Sequence, residues 1–218
     1  MPEDAAPAST RRQLVLACGA LAREVNAVIA ANRLHHVTLH CLPAGLHNEP
    51  KKIPAAVRSA VAEHRDEYDD ILVGYADCGT GGELDAVLEE LKLQRLPGAH
   101  CYAFYSGVAA FDRRAEEDMR AFFLTDFLVR QFETLVIEGL GLDRHPELRD
   151  TYFGHYEKVV YLAQTDDPRL KTEAEVAAKR LGLDYEYRFV GLGELAPTVT
   201  AFADGPPRRV KEKRIGER

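Results

Sequence analysis

The sequence predicts an α/β fold with a Rossmann-like parallel sheet that carries helices on both faces. Continuous apolar runs such as 13–17 and 70–76 are typical of strands buried on both faces. Between such runs, apolar residues recur at helical spacing, as at Leu21, Val25 and Val28. The length of 218 residues allows one large domain, which we place at residues 11–205.

Strands and helices alternate along this domain until Phe111, after which the pattern becomes helical. We expect a helical insertion around residues 113–154, with Thr125 as an N-cap within it. A later helix opens at Asp167-Pro168 and ends at Gly182. The predicted strands are 13–17, 36–41, 70–76, 99–105, 159–163 and 185–190.

Charge and composition exclude several classes of protein. The chain has 28 basic and 35 acidic residues, and the tail 206–218 is basic, so the body is strongly acidic. An acidic body argues against nucleic acid as a ligand, because binding the phosphate backbone requires a basic face. No apolar run is long enough to span a membrane, and residues 1–10 do not resemble a secretory signal. We therefore expect a cytoplasmic protein with a disordered start, a mobile basic tail and reduced cysteines.

The four cysteines form a repeated pattern. Cys18 and Cys78 each precede a glycine, whereas Cys41 and Cys101 each follow a histidine. The interval from Cys18 to Cys41 is 23 residues, and the interval from Cys78 to Cys101 is the same. Each Cys-Gly to His-Cys segment spans a predicted strand end, a helix and the next strand. The pattern therefore indicates a possible duplicated βαβ unit.

Parallel strands place their carboxyl ends along one edge of a sheet, where ligands bind. All four cysteines lie at or near predicted strand ends, and a helix start beside Cys18 and Cys78 favours the thiolate. Thiolates bind zinc or an iron–sulfur cluster in preference to hard cations. The alternative is that these are merely small buried residues, and a histidine in regular strand geometry faces away from its neighbouring cysteine. The candidate metal ligands are Cys18, Cys41, Cys78, Cys101 and His100.

A metal-free enzyme is the main alternative. In that interpretation Cys78 is a nucleophile, and His47 or His100 is its general base. The turn Gly79-Thr80-Gly81 precedes a predicted helix and could hold an anionic cofactor or substrate, although it lacks the lysine of a phosphate-binding loop. Asp77 is expected to cap that helix.

The motifs YADCGTGG and PGAHCYAFYSG, with LACGALARE upstream, resemble the family known as domain of unknown function 1638. The similarity also includes Leu42 to Pro50 and the segment Phe123-Leu124-Thr125-Asp126, and it covers most of residues 13–165. The resemblance implies a shared core of Cys18, Cys78 and Cys101 with His47 or His100. The family pattern has no counterpart of Cys41, and the aspartate that it often places between histidine and cysteine is absent here.

This resemblance also implies a biological setting, because members are encoded near corrinoid-dependent methyltransferases. The implied role is an accessory one in one-carbon metabolism. A third hypothesis is therefore a non-catalytic partner of a methyltransferase that docks through the aromatic segment 122–132. The expected partners are a small-molecule substrate or a methyltransferase protein, with no nucleic acid, no membrane and a possible homo-oligomer.

Overall fold

The computed structural model describes residues 11–205, which divide into two compact units. The first unit comprises the described residues up to Tyr75, Thr80–Arg95 and the residues from Pro197 onward. The second comprises Ala76–Gly79 and Leu96–Ala196. Each unit is organised around its own parallel sheet.

The first sheet has the strand order β2-β1-β3-β4, and all its strands are parallel. Strands β1 and β3 are central in this sheet, and nearly every residue of both is buried. Their continuous apolar sequences suit this position, because a central strand is covered on both faces. Gly74 permits this close packing, because a Cβ atom there would lie 2.6 Å from the Cβ of Ala17. The elements are β1 (Gln13–Cys18), α1 (Ala22–Ala31), β2 (Val37–Leu42), α2 (Ile53–His64), β3 (Asp70–Gly74), α3 (Glu83–Leu91) and β4 (Gln94–Arg95).

The second sheet has the strand order β5-β6-β7 and is also parallel. Its central strand β6 is almost completely buried, and one face packs against a large apolar cluster that includes residues of α8. The elements that follow β4 are α4 (Cys101–Ser106), α5 (Val108–Arg113), β5 (Ala121–Thr125), α6 (Asp126–Arg130), a π-helix (Phe132–Glu138), α7 (Leu148–Phe153), β6 (Lys158–Ala163), α8 (Pro168–Leu181), β7 (Asp184–Phe189) and α9 (Leu195–Asp204).

A fully buried carboxylate, Asp126, joins β5 to the end of β6. One of its oxygens accepts hydrogen bonds from the Tyr161 hydroxyl at 2.7 Å and the Gln164 backbone N–H at 2.9 Å. The other accepts the Thr165 backbone N–H at 3.1 Å and the Thr165 hydroxyl. The Asp126 backbone N–H in turn donates to the side-chain carbonyl of Gln164 at 2.7 Å. A buried charge with this many donors is well compensated.

The α/β class with parallel sheets and flanking helices is confirmed, but the strands form two sheets rather than one. The Thr125 N-cap is confirmed, since its hydroxyl accepts the Leu128 N–H, and Asp167 caps α8 through the Arg169 N–H. The single domain predicted for residues 11–205 stays a prediction. The predictions of a disordered start at 1–10 and a mobile tail at 206–218 concern residues outside those that the structure describes. Across the described chain, no helix is both long and apolar enough to cross a membrane.

Two element predictions are wrong. The strand predicted at 99–105 is helix α4, and the fourth strand is instead the short β4. The helical insertion predicted at 113–154 is interrupted by strand β5. Both errors have the same cause: short apolar runs such as CYAFYS and AFFLT show no decisive periodicity, so tertiary packing selects helix or strand.

The buried carboxylate leads to a stability prediction. Asp126→Ala leaves the Tyr161 hydroxyl and two backbone N–H groups without their acceptor, so we expect a loss of about 3 kcal/mol in the free energy of unfolding. Asp166→Ala is the matched control, because the Asp166 side chain is 80% exposed. Urea unfolding followed by circular dichroism measures both. Equal midpoints for the two variants would contradict a stabilising role for Asp126.

Candidate metal-binding cysteines

The first unit contains Cys18 and Cys41 on neighbouring parallel strands. Cys18 is the last residue of β1, and Cys41 lies beside Ala17 near the end of β2. Their thiols are close enough for a charge on Cys18 to raise the pKa of Cys41 further, in addition to the effect of burial. Both are thiols rather than halves of a disulfide. The structure thus places this pair at the carboxyl edge of the first sheet, as the sequence predicts.

The expected lowering of the Cys18 pKa is wrong. Burial raises the pKa of the Cys18 thiol, and it outweighs the backbone N–H of Ala20 and the Tyr75 hydroxyl, which both stabilise the thiolate. Desolvation dominates because Cys18 lies within the packed end of β1. At neutral pH the Cys18 thiol is therefore protonated.

His40 does not join this pair. Its ring packs against that of His64 at the end of α2, with a centroid separation of 4.6 Å and an interplanar angle of 57°. His40 and Cys41 are consecutive residues of β2, and consecutive strand residues point to opposite faces. Only the cysteine of this His-Cys pair therefore faces the candidate site.

The second unit holds Cys78 and Cys101, and two backbone hydrogen bonds bring their segments together. The Asp77 N–H donates to the Gly98 carbonyl at 3.2 Å, and the Cys78 N–H donates to the Ala99 carbonyl at 2.8 Å. Cys101 follows two residues later as the first residue of α4. Cys101 therefore does not lie at a strand end, and the second half of the repeated pattern does not reproduce the geometry of the first.

Cys78 adopts a left-handed backbone conformation, with φ at +52°. This conformation costs a residue with a side chain about 1–2 kcal/mol, and glycine adopts it without that cost. Three of the next four residues are glycines with positive φ, namely Gly79, Gly81 and Gly82. The turn therefore keeps a cysteine where glycine would be less strained.

Tyr102 is a neighbour of both thiols that the sequence reasoning missed. Burial raises the pKa of its hydroxyl well above the usual value, and charges on Cys101 and Cys78 raise it further. The ring stacks on Phe123 with a centroid separation of 5.2 Å and lies 6.3 Å from the ring of His100. Tyr102 thus presents a neutral hydroxyl near Cys78 and Cys101. Its position directly after Cys101 is the signal that could have identified it.

The loop after β7 fixes α4, the helix that carries Cys101. The Glu194 N–H donates to the Phe104 carbonyl at 2.8 Å, and the Glu194 carboxylate accepts the Val108 N–H at 2.8 Å. Gly193 packs directly on the carbonyl oxygens of Phe104 and Tyr105. The position of Cys101 therefore depends on residues about ninety positions later in the chain.

The turn Gly79-Thr80-Gly81, predicted to hold an anion, lies just before α3. Helix α3 begins at Glu83 with Gly82 as its N-cap, so the expectation that Asp77 caps this helix is wrong. The Thr80 hydroxyl accepts the Leu84 N–H at 3.5 Å. The first turn carries two acids, which disfavour an anion near Gly79, Thr80 and Gly81.

The two candidate histidines are both exposed. His47 lies in a short helical segment of the first unit, and His100 is the extended residue before α4 in the second unit. Their roles as ligand or general base stay predictions.

An acidic group in the second unit also escaped the sequence reasoning. Carboxylate oxygens of Glu117, Asp118 and Glu186 lie within 4.8 Å of one another, and no cysteine or histidine of the described chain belongs to the group. Arg188 binds Asp118 at 2.7 Å, and Lys158 binds Glu186 at 2.8 Å. The hydrogen bond from Arg188 is the main cause that lowers the pKa of Glu186 to about 2. These cations neutralise the group, which we interpret as an ion-pair network.

The packing of Gly193 gives a second prediction. Gly193→Ala forces a methyl group into two carbonyl oxygens of α4, whereas Gly191→Ala meets no atom within 4 Å. Both positions have positive φ, so they share the backbone penalty. We expect Gly193→Ala to cost about 2 kcal/mol more than Gly191→Ala, measured as a melting temperature lower by about 5 °C. Equal melting temperatures would show that the loop does not support α4.

Comparison with known proteins places these residues in a family. No curated protein and no solved structure matches the chain. The family model described as "Protein of unknown function (DUF1638)" matches residues 41–199. That range includes Cys41, Cys78 and Cys101 and leaves Cys18 outside, so it begins and ends later than the resemblance found in the sequence. Because the match covers well over half of the chain, the protein belongs to the DUF1638 family.

Proposed function

We propose that the protein binds a thiophilic metal, as a zinc ion or an iron–sulfur cluster, through its cysteines. The observation that carries this proposal is the pairing of segment 77–78 with 98–99, which brings Cys78 and Cys101 close to the same tyrosine. Cysteine thiolates are the ligands that zinc and iron–sulfur clusters share. The left-handed conformation of Cys78 adds support, because strained residues are concentrated at functional sites.

The donors available to such a metal can be assigned unit by unit. In the second unit they are Cys78 and Cys101, with the imidazole of His100 and the Tyr102 hydroxyl nearby. In the first unit they are Cys18 and Cys41. When bound, a zinc ion acts as a Lewis acid and a cluster carries electrons. The chain's own contribution is to hold the thiols in place and to release their protons.

The biological setting of this proposal is an accessory role in corrinoid-dependent methyl transfer in the cytoplasm. Its support is the resemblance of the motifs around Cys18, Cys78 and Cys101 to a family encoded near methyltransferases. The aromatic segment 122–132 gives little support to direct docking on a methyltransferase. Phe132 is buried, and Phe122 and Phe127 pack against the apolar core of the second unit. A methyltransferase as partner stays a prediction without an assigned surface.

A metal-free enzyme is the second candidate, and the left-handed backbone of Cys78 is equally compatible with it. In this candidate Cys78 attacks an electrophilic substrate, and His100 is the histidine of the same unit that could accept the proton. His47 belongs to the first unit and is exposed. The two candidates differ in whether the Cys78 thiolate is bound to a cation or accessible to alkylation.

Metal analysis of protein purified without oxygen tests the main proposal. We expect about one equivalent of zinc, or iron with matching sulfide, per chain. Cys78→Ala/Cys101→Ala is expected to remove most of this metal. His145→Ala is the control, because it removes an exposed histidine of the same unit. The variant Cys18→Ala/Cys41→Ala measures the contribution of the first unit.

Two results would contradict metal binding. One is a metal content below about a tenth of an equivalent in wild-type protein. The other is rapid single-site alkylation of Cys78 by iodoacetamide at neutral pH without prior chelation, which supports the nucleophile instead. Alkylation that begins only after a chelator is added agrees with bound metal.

The pH dependence of metal affinity provides a further prediction. Burial raises the pKa values of Cys18 and Cys41, so both are protonated at neutral pH and must lose their protons to bind a metal. Affinity is therefore expected to increase with pH, by about tenfold per pH unit for each proton released. Competition with a coloured chelator between about pH 6.5 and 8.5 measures the slope.

The variant Cys18→Ala/Cys41→Ala serves as the comparison for this slope. If the first unit supplies ligands, the variant releases fewer protons and its affinity depends less steeply on pH. An identical slope in both proteins would exclude Cys18 and Cys41 as ligands.

A further inference from the structure

Strand β7 forms one edge of the second sheet and has backbone groups that point outward. Asp184 N–H donates to the Glu157 carbonyl and Val190 N–H donates to the Ala163 carbonyl, so the even-numbered residues between them face β6. The odd-numbered residues therefore direct their N–H and C=O groups away from the sheet. Within residues 11–205, β7 pairs with β6 alone, and no backbone hydrogen bond involves these outward groups. The outward residues are Tyr185, Tyr187 and Phe189.

The two ends of this edge are open to solvent. Phe189 is 60% exposed although it is a large apolar residue, and Asp184 at the other end is also exposed. An edge strand that ends in an exposed aromatic side chain is a template for pairing with another strand. Proteins protect such an edge with a cover, a bulge, a proline or charged side chains. Strand β7 has neither a proline nor a bulge, and its charges lie on Asp184, Glu186 and Arg188.

We propose that two copies of the protein associate through β7, which pairs antiparallel with the β7 of a second copy about a twofold axis at Tyr187. In this arrangement Tyr187 lies opposite the partner's Tyr187, and the outward groups of residues 185, 187 and 189 exchange about six backbone hydrogen bonds. A twofold axis makes the surface self-complementary and closes the assembly at a dimer.

Charge complementarity between the two copies favours this register, in addition to the ion pairs that Arg188 makes with Glu186 and Asp118 within each chain. With the axis at Tyr187, Glu186 lies opposite the partner's Arg188, and Arg188 lies opposite the partner's Glu186. An axis at Glu186 or Arg188 would instead place like charges opposite each other, and an axis at Tyr185 would oppose Asp184 to the partner's Glu186. Directly opposed like charges destabilise an antiparallel pair, whereas opposite charges stabilise it.

The aromatic side chains complete the match. Tyr185, Tyr187 and Phe189 alternate along β7 and therefore share a face of the sheet. Pairing about Tyr187 places Phe189 opposite the partner's Tyr185, which covers the exposed ring with an aromatic neighbour. Lys171 helps to hold the Tyr187 ring in place, because its Nζ atom lies 3.9 Å from the centroid of that ring.

The edge strand β7 has only six residues, so the dimer interface is small. We therefore expect a dissociation constant of roughly 1–100 µM.

Sedimentation or light scattering over a concentration series tests this dimer. Wild-type protein is expected to approach twice the chain mass of 24.3 kDa as the concentration rises. Phe189→Lys is expected to raise the dissociation constant at least about tenfold. Val176→Lys is the matched control, because Val176 is 58% exposed and belongs to α8 rather than to β7. A monomer at all concentrations, or equal effects of the two lysine variants, would overturn the proposal.

A proline variant tests the backbone pairing itself. Tyr187→Pro removes an outward N–H that β6 does not use, so the strand can keep its pairing with β6 while it loses the central bonds of the dimer. Circular dichroism checks that the variant is folded. Amide hydrogen exchange in the peptide 184–190 is expected to slow as wild-type concentration increases and to stay fast in folded Tyr187→Pro. Exchange that does not depend on concentration in wild-type protein would overturn the proposal.

Discussion

The arrangement of the candidate site depends on two backbone hydrogen bonds, from Asp77 to Gly98 and from Cys78 to Ala99. They hold the turn after β3 beside the segment that leads into α4. Glycine is favoured at position 98, because its φ is +92° and a Cβ atom there would lie only 3.1 Å from the Cβ of Ala103. This pairing and the contacts of Gly193 and Glu194 together position Cys78, the start of α4 and Tyr102.

Much of the fold could be predicted from the sequence because its signals are local. The apolar run 70–76 and the capped helix after Asp167 are examples in which periodicity and a capping side chain agree. The helix at 101–106 could not be predicted, because it is stabilised by Gly193 and Glu194, which are distant in the sequence. The division into two sheets has the same origin, since strand pairing depends on long-range contacts.

The cysteines of the candidate site can be recognised in the sequence, but the sequence reasoning missed Tyr102 and cannot give the electrostatics. The repeated Cys-Gly and His-Cys pairs identify the thiols, whereas the pKa values of Cys18 and Cys41 are raised by burial, which depends on tertiary packing. At Cys18, desolvation outweighs the hydrogen bonds that the helix start and Tyr75 supply. The environment of Cys18 therefore favours the protonated, unreactive thiol. Such a thiol is protected from adventitious oxidation, because oxidants react with the thiolate.

The contact between Gly193 and α4 has a consequence for synthesis of the chain. A ribosome releases the chain from the amino end at about 5–20 residues per second, and domains fold as they emerge. Cys101 leaves the ribosome long before Gly193 and Glu194, so α4 lacks its support for several seconds. The first unit is in a similar position, because the Gln13 side chain donates to the Phe202 carbonyl at 2.9 Å. Helix α4, which carries Cys101, and strand β1, which begins at Gln13, therefore reach their final surroundings only after segments that are synthesised much later.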